Sequence, residues 1–124
     1  MKFSGILLTV LIGIAFMIEA CGPETILLRP SLDTPAHHVE NGYKLMAYGK
    51  IDAAMQEFSR AKELNETYAP AYVGLGIACG KKGQLAEGRA FMKKAQKLAR
   101  NAEEHKEVEM GYEGLDFIEK ENAQ

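Results

Sequence analysis

The order of apolar and polar positions divides the chain into three stretches. An apolar block runs from Ile6 to Ile18, and Lys2 is the only charge ahead of Glu19. Residues 22–33 carry Pro23 and Pro30 with little periodicity around Ile26, Leu27 and Leu28, which reads as a tether. From residue 35 the apolar side chains return at steps of three and four, the helical period. Val-, Ile- and Thr-rich alternation of the kind strands need is missing after residue 30, and good helix formers dominate. The pattern predicts helices over 35–47, 51–64, 69–81 and 85–100, and a fifth over 102–120. In that fifth segment Val108, Tyr112, Leu115 and Ile118 form one stripe. Glu103, Glu104, Glu107, Glu109, Glu113, Asp116 and Glu119 are expected to face water. Thr34 before Pro35 is an N-cap followed by proline at the first helical position, and Pro70 marks a second start.

The helical stretch repeats itself. Gly42, Gly49, Ala54, Phe58 and Ala61 have counterparts in Gly76, Gly83, Gly88, Met92 and Ala95, each pair 34 residues apart. The spacing resembles the tetratricopeptide repeat (TPR), most closely over Tyr48-Gly49-Lys50-Ile51-Asp52-Ala53-Ala54-Met55-Gln56-Glu57-Phe58-Ser59-Arg60-Ala61. The resemblance implies an all-α fold of two TPR helix-turn-helix repeats, 35–68 and 69–102. Residues 103–124 would then be a capping helix and tail that solvates the open end. Gly42 and Gly76 are expected to let paired helices approach, and Gly49 and Gly83 to end the first helix of each pair in the left-handed conformation. Phe58 and Met92 would fill the space toward the next repeat. His38 and Tyr72 stand where the family often has a larger residue such as Trp, Gly88 where it has Ala, and Glu66 and Arg100 where it has a turn proline.

The apolar block of roughly 13 residues is short of the about 20 that cross a membrane, and with Lys2 ahead of it reads as a secretory signal. Ile18-Glu19-Ala20-Cys21 resembles the lipobox of bacterial lipoproteins. The resemblance implies a signal peptide over 1–20, a lipid on Cys21 and a tether to residue 34. Gly22, where enterobacterial inner-membrane lipoproteins carry Asp, favours the outer membrane. Hydropathy alone also leaves open an uncleaved anchor or a conventional cleavage nearby.

By resemblance to the family, the inward side of a two-repeat arc comes from the first helix of each pair. Val39, Tyr43, Met46 and Ala47 would supply it in one repeat, and Val73, Ile77, Gly80 and Lys81 in the other. Such an apolar surface suits an amphipathic or extended hydrophobic segment of another protein, with Tyr43 as the best anchor. Tyr43 and Ile77 occupy positions where members that clamp a terminal carboxylate carry Asn, which argues against that mode. The same positions also fit plain core, or a surface covered by residues 22–33.

The remaining chemistry narrows the function. A net charge of -2 gives no basic excess for tracking nucleic acid. His37 and His38 are adjacent and so point about 100° apart, unsuited to sharing one metal ion. Cys79 has no second thiol or histidine at motif spacing and reads as packing. Arg89, Lys93, Lys97 and Arg100 form a basic stripe, read as a solvated or ion-paired face or as a contact for anionic head groups. No phosphate loop, serine elbow or carboxylate pair suggests catalysis or a cofactor. The expectation is a lipid-anchored adaptor facing the periplasm that binds another envelope protein. The alternative is a structural lipoprotein that self-associates into a homo-oligomer through its repeat ends.

Overall fold

The structure, a computed structural model, describes residues 32–124, so the expected signal, the expected lipobox with Cys21 and most of the expected tether lie outside the described residues. Those residues form five helices and no strand. They are α1 (Pro35–Ala47), α2 (Ile51–Leu64), α3 (Ala69–Lys81), α4 (Leu85–Leu98) and α5 (Ala102–Asn122). Helices α1 and α2 form one hairpin, α3 and α4 a second, and α5 packs on both helices of the second. The first helices lie side by side, α1 against α3 and α3 against α5, whereas α2 and α4 make no close backbone approach.

The helix ends follow from local chemistry. Thr34 caps α1 by accepting the His37 N–H at 3.2 Å, with Pro35 next. Gly49 (φ 73°) and Gly83 (φ 80°) take the left-handed conformation after α1 and α3. They place Lys50 N–H on the Leu45 carbonyl at 3.0 Å and Gln84 N–H on that of Cys79 at 2.9 Å, the double turn of a Schellman motif. Between α2 and α3, where the family pattern would have proline, the Asn65 carboxamide oxygen accepts the Thr67 N–H at 3.0 Å and its hydroxyl at 2.9 Å. Helix α4 stops two residues before the expected end because Ala99 turns extended (ψ 128°). Asn101 then caps α5 by accepting the Glu104 N–H, and the Glu104 carboxylate reaches back to the Arg100 N–H at 2.7 Å.

Helix α3 is central. It carries no charge before Lys81, and eleven of its 13 residues are buried, so it has no solvent face to present. One core joins it to the first hairpin around Phe58, Leu75, Ala54 and Ala61. Another joins it to α4 and α5 around Met92, Val73, Val108 and Leu115. Three glycines open α3 to three different neighbours. A Cβ on Gly74 would strike the Phe58 ring of α2, one on Gly76 the Gly88 carbonyl and Met92 of α4, and one on Gly80 Leu115 of α5. Each glycine costs about 1 kcal/mol of helix propensity against Ala. The close packing on all sides offsets it.

Gly114, on α5, is the contrasting case, since a Cβ there would meet nothing within 4 Å. Gly114→Ala should therefore raise stability by about 1 kcal/mol through propensity alone. A thermal melt checks it: an unchanged or lower midpoint would mean that α5 is packed more tightly than described.

Candidate functional site

The first helices enclose a groove of about 550 Å³ with α3 as its floor. Val73 and Ile77 line the floor, Tyr43 of α1 stands on one side, and Glu103, Lys106, Glu107, Met110 and Gly111 of α5 form the other. Tyr43 is positioned from behind. Its ring packs edge-on against Phe58, with centroids 5.2 Å apart and planes at 71°, and Phe58 is itself fully buried. Across the groove the Tyr43 hydroxyl donates to a Glu107 carboxylate oxygen at 3.2 Å, linking α1 to α5 over a helix neither side shares. Burial, with the negative charge and hydrogen bond of Glu107, pushes the Tyr43 hydroxyl above the ordinary phenol value, so it remains a donor. Burial likewise raises Glu107, against the Tyr43 hydrogen bond, and the carboxylates of Glu103 and Glu104 add to the rise. Tyr68 is raised by burial and then by the charges of Glu107, Glu104 and Glu103, which places it near the same acidic end.

The eight expected surface positions separate. Tyr43 and Ile77 line the groove together, over Val73, which is 1% exposed and belongs to the second core. Val39 and Met46 are instead buried in the core between α1, α2 and α3. Ala47 and Lys81 are exposed at the C-terminal ends of their helices, outside the groove lining. Gly80 is buried against Leu115 and presents nothing to a partner. Helix α5 also departs from the expected cap. Val108 and Leu115 are buried and Tyr112 and Ile118 half-buried, as the stripe implies, but Glu107 is half-buried facing Tyr43 rather than water.

The α5 residues were legible by carrying the 34-residue step one unit further. Val39 and Val73 lead to Glu107, and Tyr43 and Ile77 lead to Gly111. Helix α5 thus continues the same step as the counterpart of α1 and α3. Gly111 belongs to it physically, since a Cβ there would meet the Met92 thioether at 2.7 Å.

Elsewhere, charged side chains tie helices together. Arg89 joins α4 to α5 through Asp116 at 2.8 Å and Glu119 at 2.7 Å, so the start of the basic stripe is ion-paired. Lys93 and Lys97 are exposed. A second, polar hollow of about 450 Å³ between α4 and α5 is lined in part by Gln96, His105 and Tyr112. Cys79 is fully buried, and burial lifts its thiol above the ordinary value, which keeps it protonated and unreactive.

At the start of α1 both ring nitrogens of His38 are engaged, Nδ1 with Glu57 at 2.7 Å and Nε2 with Asp33 at 2.9 Å. Arg60 holds the same Asp33 at 2.8 Å. Burial works against a charged imidazole here, but hydrogen bonds and charge from Asp33 and Glu57 prevail, and the His38 pKa is raised above 6.5. The folded state therefore holds this proton more tightly than the unfolded chain. Its stabilisation is complete below pH 6.5 and is lost as pH rises through the higher folded value. Denaturation midpoints followed upward from pH 6 should fall in the parent and run flatter in His38→Gln. Equal slopes in the two proteins would remove His38 from the account.

Compared with known proteins, the chain matches no family model, no curated protein sequence and no solved structure.

Proposed function

We propose that the chain is an envelope-tethered adaptor of the tetratricopeptide-repeat type, whose groove receives an apolar or amphipathic segment of another protein. The observation that carries this reading is a preformed groove with accessible apolar walls. Tyr43 and Ile77 are only partly covered, and Met110 is 53% exposed within the lining. Concave apolar surfaces with a few placed polar groups are what peptide segments dock into. With two hairpins and one further helix the contact area is small, and affinity for an isolated segment should be about micromolar. A lipid on Cys21 would offset that by holding the adaptor and an envelope partner at high local concentration. No helix among the described residues is long and apolar enough to cross a membrane, and the proposed attachment rests on residues outside them.

Met110→Arg tests the groove cleanly, because Met110 is exposed and belongs to neither core. Cross-linked envelopes captured with the tagged full chain should yield a discrete partner that this variant loses at unchanged helicity. Retention of the partner would send the search to the other faces. Cys21→Ser should move the chain from the membrane fraction to the soluble one, and a variant that stays with the membrane would exclude the lipid anchor.

Self-association is the second reading, favoured by Phe117, which is 62% exposed on the terminal helix. Sedimentation velocity across a range of concentrations separates the two. A mass that grows with concentration, and does not in Phe117→Ser, supports stacking of copies.

A further inference from the structure

The groove is apolar at its floor and acidic at one end, and that asymmetry says what kind of segment it takes. Glu107 is the charged group set deepest in it. Its carboxylate has one side-chain partner among the described residues, the Tyr43 hydroxyl at 3.2 Å, and no cation pairs with it or with Glu103. Lys106, the one cation in the lining, is exposed at the rim and makes no ion pair with either carboxylate. A neutral donor satisfies geometry but does not neutralise a half-buried charge, which stays costly until an opposite charge reaches it. Tyr43 offers its ring beside that carboxylate, and an aromatic face next to an acid is a favourable seat for an ammonium or guanidinium.

We infer that the segment received by the groove carries a lysine or arginine, which seats its cation on the Glu107 carboxylate beside the Tyr43 ring while its apolar side chains lie on Ile77 and Met110. This rests on reading the groove as a partner site. It runs opposite in sign to a clamp for a peptide carboxylate, which Glu103 and Glu107 would repel. The raised proton affinity of Glu107 agrees with it: the carboxylate is strained by burial in the free protein and relieved when the partner's cation arrives. Binding should accordingly weaken in acid as Glu107, which lies beside Tyr43, Glu103 and Glu104, is protonated, with the cation itself unchanged.

The test is to pan the immobilised full chain against a random 16-residue peptide library, with Met110→Arg and Glu107→Gln chains alongside. Glutamine can still accept the Tyr43 hydroxyl, so Glu107→Gln removes the charge and leaves the fold. The expected result is enrichment of apolar peptides bearing Lys or Arg. Their synthetic forms should bind Glu107→Gln about tenfold more weakly, the loss of one charge-assisted contact. Enriched peptides that lack a cation, or that bind both chains equally, overturn the charge assignment and leave the groove standing. Equal enrichment by parent and Met110→Arg removes the groove itself. A peptide of residues 22–33, which contains Ile26-Leu27-Leu28-Arg29, is run in parallel. If it binds as tightly as the best library peptide, the occupant is the chain's own tether and not a separate partner.

Discussion

Phe58→Ala should cost about 3–5 kcal/mol of folding stability, the usual penalty for emptying a fully buried aromatic site. A domain of this size has roughly 5–14 kcal/mol in total, so the loss is about a fifth or more. The reason lies in where the ring sits. It is fully buried on α2, wedged between Gly42 of α1 and Gly74 of α3, with Tyr43 across its edge. Removing it uncouples the two hairpins and frees the ring that anchors one side of the groove. The wedge also predicts a coupling. A Cβ on Gly74 would come within 2.3 Å of the Phe58 ring, so Gly74→Ala alone should be destabilising and should become milder in a Phe58→Leu background. Urea unfolding of the four proteins gives the cycle. Additive losses would mean that Phe58 and Gly74 do not meet.

Gly88→Ala should destabilise by about 1–3 kcal/mol, although propensity alone would make it a gain of about 1 kcal/mol. A Cβ at this position would lie 2.7 Å from the Gly76 carbonyl oxygen and 3.4 Å from the Gly80 amide nitrogen. Both are backbone atoms of α3 that cannot turn aside as a side chain would, and Leu115 closes the remaining side at 3.3 Å. Glycine is required here because α4 crosses α3 too closely for a methyl group. Chemical denaturation decides it by sign, since a stabilised Gly88→Ala would place the helices further apart.

Much of this architecture is legible in the sequence because its determinants recur at fixed spacing. Gly49 and Gly83 end helices by a local backbone requirement that needs no tertiary information, and Thr34-Pro35 starts one likewise. Phe58 and Met92 announce themselves as fillers because glycines stand opposite them in step. What is not legible by reading one helix at a time is the division of an apolar face between core and surface. Val39 and Tyr43 lie one helical turn apart on α1, yet α2 and α3 cover the first and leave part of the second open. Glu107 shows the converse. An acidic residue in an acidic helix reads as solvated, and only the placement of α5 beside α3 turns it toward Tyr43. Gly74 carries no signature in the 34-residue alignment, because it serves the seam between the units rather than either one.

The central claim is that the groove between α1 and α5 is the working surface. The most direct measurement places a photoreactive amino acid at position 110, inside the groove, or at position 96, on the exposed α4 side, and irradiates living cells expressing the full chain. The account predicts one discrete adduct from position 110, abolished by Ile77→Glu, and none from position 96. An adduct from position 96 with nothing at 110 would contradict it and move the partner site to the outer face of α4 and α5.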